Sequence, residues 1–431
     1  MSFRTWIQRL RRSHELVEAS RILSTKLEAA AFVKAMEPRP VSFNVRESEI
    51  PVAANICASR ETIANYLKIP TSQITTRLLH AIDNPSPPQI IDRAPCMALV
   101  EKEVDLDSLP LLLHTEKDGG RYISSAVVIA RHPEIGQNVS FHRMMQISKN
   151  ELAIRIVPRH LNMILEKTSG DLPIAVCIGT SPNVLLSGAC SVELGRDELH
   201  IANTLEPLLV TKCKEANCFV PAETEIVLVG RITSRMHAEG PFIDLTETYD
   251  LIRSQHVVTI DMIYNRTKPI YHALLPGGLE HKMLMGIPRE PTIYREVAKV
   301  CTCLDVAITP GGGSWLHAVV KILKKDESDG KRAIEAAFRG HTSLKHVAIV
   351  DEDIDIHNLM EVEWAFATRF QGDRGLVVKT EQTGSSLDPS ADPITRATTK
   401  VGFDATKPLE TKGKEFQKAA LPTLDWRKYV K

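Results

Sequence analysis

Residues 122–160 read YISSAVVIARHPEIGQNVSFHRMMQISKNELAIRIVPRH, and this stretch decides how the middle of the chain folds. Ala126–Ala130 and Ala153–Val157 are short apolar runs bounded by Pro, Gly and Asn, the pattern of half-buried strands joined by turns. Similar runs follow at Ile174–Ile178, Leu208–Thr211, Glu225–Ile232 and Val257–Ile263. Tyr122 to about Asn265 is therefore expected to form a mainly antiparallel β domain.

Upstream, helical and extended patterns alternate. Ile74, Leu78, Leu79 and Ile82 share one side of a helix expected over Thr71–Asp83, which Asn84-Pro-Ser-Pro-Pro88 stops. Phe3, Trp6, Ile7, Leu10 and Val17 recur at helical spacing and predict an N-terminal amphipathic helix that leaves Arg4, Arg9, Arg11 and Arg12 in water. That segment has neither a continuous apolar core nor a small-residue cleavage site, so it does not read as an export signal. Leu109-Pro110 and the turn-forming Lys117-Asp118-Gly119-Gly120 mark a boundary. Beyond Pro288 the alternation returns, with helices expected near Arg332–Phe338 and Asn358–Thr368 and a strand at His346–Val350. Three units result: an N-terminal α/β domain over 1–115, a central β domain over 116–300 and a C-terminal α/β lobe over 301–431. The last fifty residues, rich in Thr, Lys, Asp and Pro, are expected to be poorly packed.

Lys plus Arg equals Asp plus Glu at 53 each over 431 residues, with 43% hydrophobic and 25% charged residues. This balance excludes a mostly disordered chain and, having no charge excess, a generic nucleic-acid binder. No run approaches the ~18 apolar residues that cross a bilayer. Cys57, Cys96, Cys177, Cys190, Cys213, Cys218, Cys301 and Cys303 form no pair of zinc knuckles and are expected as reduced thiols of a cytoplasmic protein.

P-loop, GxSxG, HExxH and GxGxxG motifs are all absent. What remains is a set of polar residues embedded in β-type segments: Asn138 and Arg143 in QNVSFHRMM, Arg159 and His160 in RIVPRHLN, Glu198 in RDELHIAN, and Glu239 with Asp244 in HAEGPFIDLT. In this order, and with EIPVAANICASRE, PPQIIDRAPC, DLDSLP, DGGRYIS, VPAETEIVLVG, KHVAIVDEDIDIHNLMEVEWAFATR and KVGFDATKP around them, the chain resembles the UbiD family of non-oxidative decarboxylases over nearly its whole length.

That resemblance implies a three-part architecture of α/β and β parts: an N-terminal α/β region, a central split β-barrel that binds flavin and a C-terminal α/β lobe used for oligomerisation. It implies prenylated FMN as cofactor, made by a flavin prenyltransferase and held through a divalent metal, usually Mn²⁺, with K⁺ nearby. Asn138, His160 and Glu198 become the metal ligands, with Glu193 as a rival carboxylate. An amide oxygen, an imidazole and a carboxylate suit such an ion. Arg143, Glu239 and Asp244 become the catalytic set, Asp244 as proton donor, because the carbon that loses CO₂ must be protonated. Phe141, His142, Arg143, Arg155, Ile156, Val157, Arg159 and His160 match the segments beside the flavin, and Lys400 approaches from the C-terminal lobe. Gly311-Gly312-Gly313 reads as a plain turn.

The chain is most like the short archaeal branch, which implies decarboxylation of trans-anhydromevalonate 5-phosphate to isopentenyl phosphate in a modified mevalonate pathway. Arg159, Arg235, His237 and Lys282 are candidates for that substrate's phosphate. The alternative substrate is 4-hydroxy-3-polyprenylbenzoate or another aromatic acid. A flavin-binding protein without catalysis and a metal-dependent hydrolase using His160 and Glu198 are the readings from other classes. The resemblance further implies a homo-oligomer, dimer or hexamer, with the Asn358–Thr368 helix as the place to look for an exposed patch.

Overall fold

Successive residues of the central strands enter two different cores. In the computed structural model, which describes every residue except 412, 414, 417, 420, 430 and 431, Val127, Ile129, Ala175, Cys177, Val227 and Val229 pack into one apolar cluster. Their neighbours Val128, Ala130, Ile174, Val176, Ile226 and Leu228 pack into another. A strand alternates its side chains between faces, so continuous apolar runs mean a sheet covered on both sides. Full burial of each Val, Ile or Leu contributes about 1.5–3 kcal/mol.

That sheet has nine antiparallel strands. Its main path runs Tyr122–Ile123, Met144–Gln146, Glu151–Ile154, Arg253–Asn265, Ile226–Glu239, Leu172–Ile178, Val127–His132 and Gly136–Phe141, with Leu99–Glu101 added on Arg253–Asn265. The helices Pro182–Gly188 and Glu198–Leu205 contribute to the first cluster, and so does the N-terminal helix Phe3–Arg12. A four-stranded sheet of Val17–Glu18, Val41–Val45, Ser48–Ala54 and Tyr271–His272 supplies the second.

The N-terminal helix forms as its periodicity predicts, with Phe3, Trp6, Ile7 and Leu10 buried and the Ser2 hydroxyl accepting from the Thr5 N–H at its start. Two expectations fail there. Val17 pairs with Val41 in a strand, because the helix stops at Ser13. Arg4 is not a solvated charge: its Nη2 lies 2.6 Å from Oε2 of Glu225, a carboxylate with no exposed surface. The helix expected over Thr71–Asp83 forms as the α-helix Ile74–Asp83, preceded by the 3-10 turn Thr71–Gln73.

The C-terminal lobe is a five-stranded sheet in the order Thr302–Ile308, His317–Leu323, His346–Val350, Ala397–Asp404, Leu376–Thr383. Glu290–Ala298 and Asp329–Gly340 cover one face and Leu359–Arg369 the other. The expectation of a loose final fifty residues fails for one segment, while the described residues from 409 to 429 are largely exposed and, apart from the 3-10 turn Trp426–Lys428, carry no regular element. Ala397–Asp404 is an interior strand, parallel to His346–Val350 and antiparallel to Leu376–Thr383, and its polar Thr and Lys residues disguise the alternation. For residues 412, 414, 417, 420, 430 and 431 that expectation lies outside the described residues.

All eight cysteines are free, seven of them buried. Among the described residues no helix is long and apolar enough to cross a membrane.

Candidate active site

Glu239 closes the long strand Ile226–Glu239, and the chain turns at once into the short ladder Phe242–Ile243 against Tyr249–Asp250. The reversal brings Glu239, Asp244 and Asp250 to one guanidinium. Arg143 donates from Nε to Glu239 Oε1 at 2.8 Å and from Nη2 to Glu239 Oε2 at 3.0 Å. Its Nη1 donates to Asp244 Oδ2 at 3.1 Å, and Nη2 also donates to Asp250 Oδ2 at 2.9 Å. The Tyr122 hydroxyl donates to Glu239 Oε1 at 3.1 Å, and the Phe242 ring lies 4.8 Å from the guanidinium carbon.

Close backbone approaches hold this turn. A Cβ on Gly119 would stand 2.1 Å from the Gly240 carbonyl oxygen, and the Gly119 N–H donates to the Pro241 carbonyl at 2.9 Å. Gly277, at φ +67°, would bring a Cβ to 3.0 Å from the Asp244 carbonyl oxygen. Only glycine permits such contacts without displacing the chain.

Asp250 also accepts from Arg253 Nη2 at 2.8 Å and lies 3.7 Å from Arg155 Nε. Three arginines thus face three carboxylates. Burial works against the Asp250 anion, but the hydrogen bond from Arg253 and the charges of Arg143 and Arg253 prevail and hold it below the usual carboxylate range. Burial likewise opposes the Arg143 cation, and the hydrogen bond to Glu239 with the three negative charges overrides it, so it titrates above the usual guanidinium range. Within the set, Glu239 has no exposed side-chain surface whereas Asp244 keeps 18%. The Gly277 N–H donates to His281 Nδ1 at 3.1 Å, and burial lowers the His281 pKa.

The cofactor candidates fall into two adjoining segments. Phe141, His142 and Arg143 follow the strand Gly136–Phe141, and Arg155, Ile156 and Val157 follow Glu151–Ile154. The Arg155 N–H donates to the Arg143 carbonyl at 3.1 Å, and His142 Nδ1 is 2.8 Å from the Arg155 carbonyl. Burial pushes the His142 pKa down to about 4, so the ring is neutral and its Nδ1–H is the donor to Arg155, leaving Nε2 to accept from Ser140 at 2.9 Å. Arg159 and His160 open the helix His160–Lys167, which packs on the strand carrying Asn138. Lys400 is buried inside the C-terminal lobe, where its ammonium donates to the Thr342 carbonyl and lies 5.6 Å from the Phe338 ring.

Glu198 tests whether a cation belongs here. It is 3% exposed, accepts from the Val139 N–H at 2.8 Å and pairs with no cationic side chain among the described residues. Burial raises its pKa to about 8. Asn138 is buried beside it in sequence to Val139 and spends its amide nitrogen on Ser140 Oγ at 2.8 Å, so its oxygen is the end left for a cation. A buried carboxylate without a counter-charge is unfavourable, and a divalent ion supplies one; the chemistry of Glu198 and the free amide oxygen of Asn138 fits such an ion. Glu193 is 84% exposed and pairs with Arg196 at 3.4 Å.

Sequence reasoning missed Asp250, Tyr122, Phe242, His281 and Arg253. Asp250 offered a weak signal as one more acid in the Asp244–Asp250 turn; the others look like ordinary strand or helix residues. Of the phosphate candidates, Arg235 is on the surface, paired with Glu151, His237 is exposed, and Lys282 pairs with Glu247. Neither Arg159 nor His237 has an acidic partner among the described residues, the His237 ring lying 2.8 Å from the Ala238 carbonyl. Gly311–Gly313 is a turn, with Gly313 at φ +66°.

Three family models cover most of the chain: the N-terminal, Rift-related and C-terminal domains of 3-octaprenyl-4-hydroxybenzoate carboxy-lyase, at residues 7–82, 89–279 and 282–405. The anhydromevalonate phosphate decarboxylase of Methanothermobacter thermautotrophicus is 43% identical, over 92% of this chain and 95% of the relative. That of Methanosarcina mazei is 39% identical, over 98% of this chain and 100% of the relative. Among solved structures, the UbiD-class enzyme HmfF from Pelotomaculum thermopropionicum in complex with FMN superposes with a TM-score of 0.94 at 35% identity, covering 100% of this chain and 99% of that one. An evolved dimeric form of HmfF in complex with prFMN gives 0.92 at 34% identity and covers 100% of both chains.

Proposed function

This chain belongs to the UbiD family, and we propose that it is a prenylated-FMN-dependent carboxy-lyase acting on trans-anhydromevalonate 5-phosphate, releasing CO₂ and isopentenyl phosphate. The observation that carries the reading is the double hydrogen bond of Arg143 to buried Glu239 with the more open Asp244 on the same guanidinium. The names of the archaeal relatives support the substrate.

The roles follow from hydrogen-bond accounting. A guanidinium has five N–H donors. Four of Arg143's are committed, two to Glu239 and one each to Asp244 and Asp250, which leaves one on Nη1, beside Asp244, for the substrate carboxylate. Glu239, fixed by Arg143 and Tyr122, orients the guanidinium. The three arginines and three carboxylates balance until the substrate arrives; its carboxylate makes the set negative, and a proton taken up on Asp244 restores neutrality. That proton is delivered to the carbon that has lost CO₂. Prenylated FMN, when bound, supplies the electron sink for that carbon. Asn138, His160 and Glu198 would hold Mn²⁺, with K⁺ nearby, and Phe141–Arg143 with Arg155–Arg159 would line the flavin. Lys400 stays a cofactor candidate only through a second layer.

The flavin prenyltransferase is the proposed cofactor supplier and the cytoplasm the proposed location. We place the domain divisions near residues 115 and 300. A homo-oligomer, dimer or hexamer, is supported by Leu359 and Met360, which are 51% and 76% exposed on the Leu359–Arg369 helix; a monomer in light scattering at micromolar concentration rejects it.

The test is anaerobic CO₂ release from trans-anhydromevalonate 5-phosphate by protein co-expressed with a flavin prenyltransferase and supplied with Mn²⁺ and K⁺. Release that vanishes in Asp244→Asn supports the reading. No release from protein shown by mass spectrometry to carry prenylated FMN rejects the substrate and turns attention to aromatic acids such as 4-hydroxy-3-polyprenylbenzoate.

A further inference from the structure

Arg289 ends the 3-10 turn Ile287–Arg289, which continues the helix Leu279–Gly286. Other enclosed arginines have acids: Arg60 pairs with Glu290, Arg143 with Glu239 and Arg369 with Asp351. Arg289 is 7% exposed and its Nε is buried without an acceptor, and no carboxylate pairs with it among the described residues. Its guanidinium carbon lies 5.2 Å from the Trp315 ring. Trp315 meets His341 edge-on with ring centres 4.6 Å apart, and His341 Nε2 is 3.1 Å from the Trp315 carbonyl. The Ser314 hydroxyl is also buried without a partner; it lies against the same helical run, 3.5 Å from where a Cβ on Gly286 would stand.

Arg159 and Lys400 add further positive charge to this region. Burial first, and then the charge of Arg159, pull the Arg289 pKa down to about 10. Burial and then Arg289, with Arg159 and Lys400 adding to it, push His341 down to about 3. A buried guanidinium without a counter-ion is unfavourable, and its planar fork matches a phosphate. His281, eight residues earlier on the same run (289 against 281), accepts from the Gly277 N–H beside the Asp244 backbone. At 1.5 Å per residue the two ends of this wall are about 12 Å apart. One end adjoins the Arg143–Asp244 group and the other presents an unpaired cation.

We propose that Arg289, backed by Trp315 and assisted by the Ser314 hydroxyl and Arg159, is the recognition point for the phosphate monoester of the substrate. This rests on the proposed function, in which the substrate's carboxylate occupies the Arg143 end. The flavin carries a phosphate monoester too, so the test separates the two sources.

Holoenzyme carrying prenylated FMN is titrated calorimetrically with isopentenyl phosphate and with isopentenol. The wild type is expected to prefer the phosphate by at least 100-fold, and Arg289→Gln to lose at least 30-fold of that preference with its flavin-to-protein ratio unchanged. Arg289→Lys recovers part of the loss, and Ser314→Ala loses about fivefold. Should Arg289→Gln not fold, the lysine and alanine variants decide. An unchanged preference in the variants overturns the assignment. Flavin lost from the variants while the preference persists in the loaded fraction gives the guanidinium to the cofactor's phosphate, and overturns it equally. Tight, Arg289-dependent binding of isopentenyl phosphate by an enzyme that releases no CO₂ keeps this site and discards the proposed reaction.

Discussion

Arg143 and Glu239 meet through two parallel hydrogen bonds, Nε to Oε1 at 2.8 Å and Nη2 to Oε2 at 3.0 Å, and Glu239 has no exposed side-chain surface. The pair is a fixed base on which Asp244, the more open acid, is mounted. An ammonium cannot reproduce the fork. Arg143→Lys is therefore expected to lower kcat about 100-fold or more while the protein still folds, measured by CO₂ release alongside thermal unfolding.

Asp244→Asn keeps an oxygen for Arg143 and the local turn but cannot donate an acidic proton. A fall in kcat of about 10²–10⁴ is expected, with substrate binding by calorimetry within a few fold of wild type. A variant that turns over at the wild-type rate removes Asp244 from the chemistry.

Glu198 carries a proton at neutral pH in the metal-free protein, since burial raises its pKa to about 8. Glutamine imitates that neutral carboxyl. Glu198→Gln is expected to melt within a few degrees of the metal-free wild type at pH 7, yet to retain no Mn²⁺ after desalting, as read by elemental analysis.

The turn carrying the acids depends on Gly119, where a Cβ would stand 2.1 Å from the Gly240 carbonyl oxygen. Gly119→Ala is expected to cost about 1–3 kcal/mol of stability and to lower kcat more than it raises KM, because the displaced element is the one that delivers the proton.

Acid weakens the fold through buried imidazoles. Burial holds His317 at about 4 and His341 at about 3, whereas the unfolded chain binds these protons near pH 6.5. With the folded values depressed, their contribution is complete above about pH 6.5 and is lost as pH falls toward 4, by up to about 1.4 kcal/mol per pH unit for each group. The melting temperature is expected to drop across that window, and His317→Gln to flatten the slope; an unchanged slope in that variant discards the account.

Much was legible without coordinates because it is local. Strand runs follow from a side-chain period of two, which neighbouring residues alone specify, and Phe3, Trp6, Ile7 and Leu10 define their helix face within three turns. The order of Asn138, Arg143, His160, Glu198, Glu239 and Asp244 likewise stands in the sequence. The same local reading failed for Ala397–Asp404, where Thr and Lys on an interior strand give no apolar alternation, and for Arg4, whose partner Glu225 is 221 residues away.

The sequence by itself therefore determined the strands, the helices and the residue types from which the acid–guanidinium group is built. Only the tertiary structure decided which charges meet: that Asp250 joins Arg143 from 107 residues away, that Tyr122 reaches Glu239, and that Arg289 meets no acid among the described residues. Secondary structure answers to periodicity within one segment, whereas the state of a charge depends on what distant segments bring within a few ångströms of it and on how much water they exclude.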